Sequence, residues 1–164
     1  MKKLVMVRHA KSDWGIEGLF DIDRPLNERG YTDAYEMAAL YFAALGKPDL
    51  LISSPSTRTL STAGIFTRVF GIPMSQLEIS NSLYEANEKV LLQTVQRFKD
   101  NVETIMVFGH NPGFTNFINA TTTSRLNNVP TAGIVVIEFY VDSWSEIENR
   151  KGEITFNAFP KEFL

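Results

Sequence analysis

The sequence predicts an α/β fold: a three-layer αβα sandwich around a mostly parallel central sheet with an antiparallel edge strand. Three observations carry that expectation. Short uninterrupted apolar runs at 3–7, 50–53 and 104–109 have the pattern of strands covered on both faces. Helical patterns separate these runs, as right-handed βαβ crossovers require. The chain then closes on two strand-like stretches, Gly133–Tyr140 and Gly152–Phe159, joined across Ser143 to Lys151 as a hairpin that adds an antiparallel strand.

The helices carry recognisable ends. Asn27 is a suitable N-cap with Leu26 before it, and Ala34, Met37, Ala38, Tyr41 and Leu45 recur at helical spacing until Gly46 and Pro48 stop the run. A second helix begins near Pro55 or Ser56, carries Leu60, Ala63, Phe66, Thr67 and Phe70, and ends at Gly71. Val90, Leu91, Val95 and Phe98 mark a third. Pro112 suits the first turn of a fourth, running through Phe114, Phe117 and Ile118.

A chain of 164 residues suits one domain over 1–164 and buries enough surface to fold without a metal or disulfide staple. With no cysteine, thiolate chemistry and cysteine-ligated zinc are excluded. The net charge of −3 lacks the basic footprint of a nucleic-acid binder. Lys2 and Lys3 precede only Leu4–Val7, too short for a secretory signal, and no stretch reaches membrane-spanning length. The sequence is therefore read as cytoplasmic, with neither nucleic acid nor membrane as partner.

In open α/β sheets ligands bind beyond the carboxyl ends of the strands. Arg8-His9 follows the first strand, Ser53-Ser54-Pro55 the second, with Arg58 in the first turn of the next helix, and Gly109-His110-Asn111 follows the third. Taken singly, each has a plain structural explanation: a satisfied histidine at a strand end, or an arginine paired with a nearby acid. Together, two arginines and the chain's two histidines sent from three strands to one edge describe an anion site. A cation in a helix's first turn opposes the dipole, and makes sense where an anion is gripped beside the helix N–H groups.

Arginine's planar fork matches phosphate oxygens, and an imidazole kept neutral by nearby arginines is a competent nucleophile. Phosphoryl transfer needs mainly positioning and stabilisation of charge on the equatorial oxygens. Metal ligation is the rival use of His9 and His110, but no carboxylate stands at a ligand spacing from either and adjacent arginines would repel a dication. No cofactor or metal is expected. A nucleotide-binding domain is disfavoured because no glycine-rich loop follows the first strand.

These residues resemble the histidine phosphatase (phosphoglycerate mutase-like) superfamily. Val7-Arg8-His9-Ala10 is similar to its first motif, Ser53-Ser54-Pro55-Ser56-Thr57-Arg58-Thr59 with Thr62-Ala63 to its second, and Gly109-His110-Asn111 to its third. Arg8-His9-Ala10-Lys11-Ser12, Asp23-Arg24-Pro25-Leu26-Asn27-Glu28-Arg29-Gly30 and Gly109-His110-Asn111-Pro112-Gly113 resemble the SixA branch, the phosphohistidine phosphatases; the likeness extends more loosely to Phe159-Pro160-Lys161. The resemblance implies His9 as the nucleophile that becomes phosphohistidine. It implies Arg8, Arg58 and His110 as the phosphate pocket, Arg24 as a branch-specific contact, and Ser12 and Asn111 as neighbours.

Many members of that superfamily also carry an acidic general acid. The candidate here is Glu85, in Ser82-Leu83-Tyr84-Glu85-Ala86, whose other reading is a solvated loop glutamate; Asp13, Asp21 and Asp23 are weaker candidates. An alkoxide leaving group needs such an acid, an assistance of ~10²–10⁴-fold, whereas the imidazole of phosphohistidine leaves more readily. The short 19–27 segment leaves little room for a cap over the pocket. The expected function is thus a metal-independent phosphatase acting on phosphohistidine in a protein. The alternatives are a phosphatase for small phosphate esters and a non-catalytic phosphoprotein-binding module.

Overall fold

The computed structural model describes residues 1–161. The chain runs β1 (Lys2–Arg8), α1 (Glu28–Leu45), β2 (Leu50–Ser53), α2 (Thr57–Phe70), β3 (Leu77–Ile79), α3 (Glu88–Gln96), β4 (Thr104–Gly109), α4 (Gly113–Thr121), β5 (Ile134–Phe139) and β6 (Gly152–Ala158). The six-stranded sheet has the order β3-β2-β4-β1-β5-β6. β1, β2, β3 and β4 pair in parallel, while β5 pairs antiparallel with both β1 and β6. The expected hairpin therefore forms one edge, with β5 as its reversed strand and β6 outermost. β3 forms the other edge; at three residues it is too short to show a pattern in sequence.

The two faces of the sheet bury separate clusters. On one, Leu4, Met6, Ile105 and Val107 meet Leu91, Phe114, Phe117 and Trp144 from α3, α4 and the segment after β5. On the other, Val5, Val7, Met106 and Phe108 meet Met37, Tyr41, Phe66 and Phe70 from α1 and α2. Alternation along β1 and β4 sends successive side chains to opposite clusters, so both faces must be apolar and the runs read as continuous.

The helix ends follow their capping residues. The Asn27 side chain accepts from the Gly30 amide and starts α1; Gly46, at φ 76°, ends it. Ser56 accepts from the Thr59 amide at the start of α2, and Gly71 closes that helix in the left-handed conformation. Pro112 occupies the cap position of α4 rather than its first turn. Gly30 has a packing reason as well: a Cβ there would fall on the Lys11 carbonyl oxygen, so the bare glycine lets α1 lie against the segment that follows His9. That segment is further held by an antiparallel bridge between Ser12 and Leu26 and by the Asn27 amide donating to Lys11 O.

Candidate active site

Strand register places the polar residues side by side. Arg8 of β1 lies opposite Gly109 of β4, and Ser53 of β2 lies opposite Phe108. One residue further on, His9, His110 and Ser54 leave the sheet together. Backbone bonds fix this exit: His9 N–H donates to Gly109 O at 3.0 Å, and Ser54 N–H to Phe108 O at 3.1 Å. Thr62 of α2 joins the first and second motifs, its hydroxyl accepting from the Ala10 amide (3.0 Å) and donating to Arg58 O (2.8 Å).

These elements surround a cleft of about 550 Å³. Eight residues given roles from the sequence line it, namely Arg8, His9, Ser12, Arg24, Arg58, Glu85, His110 and Asn111; of the weaker acid candidates Asp21 lines it, and Asp13 and Asp23 do not. The rings of His9 and His110 are 5.4 Å apart. Both histidines, Arg58 and Ser54 are buried.

Hydrogen-bond partners determine the histidine tautomers. His9 Nδ1 lies 2.8 Å from Ala10 O, and a carbonyl only accepts, so Nδ1 carries the proton and Nε2 the lone pair. His110 Nδ1 faces the donor-only Nη2 of Arg58 at 3.4 Å, so its proton is on Nε2, which donates to Ser54 Oγ at 2.7 Å. Burial, together with Arg58, His110 and Arg8, pushes the His9 imidazole down to about 3 against the raising effect of Ala10 O. Burial and Arg58 push His110 down to about 4. Both rings are neutral near pH 7, and one presents a free ring nitrogen beside two guanidinium groups.

Arg8 donates through Nη1 to Val129 O at 2.8 Å. The Nε atoms of Arg8 and Arg58 are buried without a hydrogen-bond partner, on two guanidinium groups that line the cleft. Arg24 donates to Ser12 Oγ (2.7 Å) and to Asp21 Oδ1 (3.1 Å), and its guanidinium stacks 3.4 Å from the ring of the exposed Trp14. Ser12 is thereby a partner of Arg24. The Asn111 amide is spent on loop contacts, donating to Asn128 Oδ1 and Val129 O and accepting from Thr115.

Glu85 is exposed on the cleft wall with φ 55°, a backbone conformation that non-glycine residues adopt at a cost and that here turns the chain over the pocket. The neighbouring Ala86 carbonyl packs where a Cβ on Gly113 would fall, so the glycine of His110-Asn111-Pro112-Gly113 admits this turn. Of the aspartates, Asp13 caps the Gly15 amide. Asp21 is tied to Tyr84, Arg24 and Arg58, which hold its carboxyl at about 2, too acidic to be a proton donor near neutrality. Tyr84 and Ser54 enter the site without having been assigned roles from the sequence.

The buried neutral histidines have a measurable consequence. Their pKa values are lowered on folding, so the unfolded chain takes up protons first as the pH falls below ~6.5. Stability is full above that value and is lost as the pH drops toward about 4 and about 3. The apparent Tm falls on the order of 10 °C between pH 7 and pH 4.5, and inorganic phosphate reduces the loss by binding the folded cleft. Thermal melts with and without phosphate check this. A Tm flat across that interval would contradict it.

The fold and this basic, histidine-bearing cleft define a phosphate-handling α/β protein. The profile of the histidine phosphatase superfamily (branch 1) matches residues 4–94, more than half of the chain, and the chain belongs to that family. An uncharacterized protein of Mycobacterium tuberculosis is 29% identical over 155 residues, covering 87% of this chain and 92% of its own. An uncharacterized chloroplastic protein of Arabidopsis thaliana is 26% identical over 153 residues, covering 88% and 70%. Among solved structures, the Agrobacterium tumefaciens protein assigned as the phosphohistidine phosphatase SixA superposes with a TM-score of 0.81 at 25% identity, covering 97% of this chain and 98% of that one. A protein histidine phosphatase SixA bound to tungstate gives 0.82 over 99% of both chains; at 16% identity it speaks for the fold. Family and fold support phosphatase chemistry.

Proposed function

We propose that the protein is a metal-independent phosphatase that works through phospho-His9 and takes its phosphoryl group from phosphohistidine on a protein. The observation that carries the reading is the His9 tautomer: Nδ1–H is held by Ala10 O, which leaves Nε2 as the nucleophile beside Arg8, Arg58 and His110. In the first step Nε2 attacks phosphorus, the N–P bond to the substrate breaks, and the leaving imidazole takes a proton. Arg8 and Arg58 bind the equatorial oxygens, and His110 supports them once an anion favours its protonated form. Water then attacks phospho-His9, releasing inorganic phosphate and restoring the neutral ring.

In this reading Glu85, which lines the cleft, hands a proton to the leaving group and takes one from water. The phosphohistidine assignment rests on the ease with which imidazole leaves and on the SixA proteins resembled along the whole chain. Among the described residues no cluster of three or more His, Asp or Glu is arranged to hold a metal, and none of the steps above requires one. The described helices include none long and apolar enough to cross a membrane. The test is turnover in excess chelator of a histidine-phosphorylated peptide against a panel of sugar and glycerate phosphates. The peptide is expected to be hydrolysed undiminished and in preference. Activity restored only by added divalent metal, or confined to the esters, would sink the respective half of the reading.

A further inference from the structure

Asp21 presents its carboxylate to two of the arginines that line the cleft. Its carboxylate accepts from Arg58 Nη2 at 3.1 Å, from Arg24 Nε at 3.1 Å and from the Tyr84 hydroxyl at 2.6 Å. Its backbone carbonyl accepts from Arg58 Nη1 at 2.7 Å. Backbone and side chain of one residue thus close the outer edge of Arg58, leaving the buried Nε without a partner. The cationic side chains lining the cleft are Arg8, Lys11, Arg24 and Arg58, and Asp21 is ion-paired with two of them, offsetting one of their two charges.

This pairing divides the cleft's anion-binding capacity. A phosphoryl group in transfer to His9 can be matched by the guanidinium groups of Arg8 and Arg58, which line the cleft with His9. A second anionic group on the same substrate would compete with the Asp21 carboxylate for Arg24 and for the outer edge of Arg58; apart from Arg8, Lys11 is the one cleft cation, among the described residues, that has no ion pair. It would also stand beside the carboxylate of Asp21, and like-charge juxtaposition is costly in a partly desolvated site.

We infer that Asp21 is a specificity-determining residue that excludes substrates carrying a second anionic group beside the phosphoryl group. The cleft thereby selects a phosphoryl group borne by a neutral or cationic side chain over phosphorylated carboxylic acids and bisphosphates. The inference rests on phosphoryl transfer at His9 and narrows the class of group that is accepted.

Asp21→Asn tests it, because the amide keeps the volume and an acceptor oxygen while removing the charge. The quantity read is the ratio of kcat/KM for 3-phosphoglycerate to that for phenyl phosphate. In Asp21→Asn this ratio rises about tenfold or more over wild type. Tyr84→Phe, which keeps the Asp21 charge and loses one hydrogen bond, leaves the ratio near the wild-type value. Damage to the fold lowers both activities and does not raise the ratio. A ratio that stays level or falls in Asp21→Asn, or that rises equally in Tyr84→Phe, overturns the inference alone if wild type hydrolyses phenyl phosphate. A wild-type protein that hydrolyses neither compound nor a histidine-phosphorylated peptide overturns the phosphatase reading and this inference with it; one that hydrolyses the peptide, with neither compound turned over in wild type or in Asp21→Asn, overturns the inference alone.

Discussion

His9→Ala removes turnover, with kcat expected to fall by at least about 10³-fold because a covalent nucleophile is deleted rather than a contact weakened. No other side chain in the cleft takes over. His110 has its Nε2–H committed to Ser54 Oγ and its Nδ1 lone pair directed to Arg58. The 5.4 Å separation of the two rings also sets a phosphorus poised over His9 away from in-line attack by His110. In a rapid-quench experiment with labelled substrate, wild type carries an acid-labile, base-stable label and His9→Ala carries none. The variant still binds inorganic phosphate, since Arg8, Arg58 and His110 remain. Wild-type labelling of His9→Ala would move the nucleophile to another residue, and phosphate binding without labelling in wild type would make the protein a phosphate-binding module.

The parts of this site that were legible in the sequence are those whose position follows from strand ends. Arg8-His9, Ser54 and His110-Asn111 each come one step after an apolar run, and parallel pairing alone brings such steps to one edge. Arg58 follows because a helix start must lie close above its strand. Less could be foreseen where position depends on irregular chain. Asp21 lies on a short 3₁₀ turn in a loop containing three aspartates within eleven residues, Asp13, Asp21 and Asp23, and nothing in their order distinguishes the one that folds onto Arg58. Tyr84 reaches Asp21 across 63 residues of chain, a contact created by the fold and not by spacing. The positive φ of Glu85 is likewise unannounced, since turn chemistry would favour glycine or asparagine there. The sheet's edges behave similarly: β3 is stabilised by pairing with β2 rather than by any periodicity of its own.

Arg58→Met is the second large effect, and it separates catalysis from stability. Loss of the guanidinium lowers kcat/KM by about 10²–10³-fold, the scale of one preorganised donor to a developing oxyanion. Stability does not fall with it. The Arg58 side chain is 6% exposed and its Nε is unpartnered, while its counter-ion Asp21 is 46% exposed and still bonded to Arg24 and Tyr84. Burying that cation without full compensation is a cost that an apolar side chain of similar length avoids. The pH profile moves too. Arg58 is a cause of the low pKa of both His9 and His110, so its removal raises both. Burial, the leading cause for each, remains and keeps them below the ordinary histidine value. Because neutral His9 is the active form, the acid limb of the residual activity shifts to higher pH. Because a smaller shift on folding means less proton uptake on unfolding, the acid loss of Tm shrinks. Kinetics and thermal melts of the same variant from pH 4.5 to pH 7 read both consequences. A lower Tm at neutral pH would show that Arg58 stabilises the fold, and an unmoved acid limb would show that its charge does not govern His9.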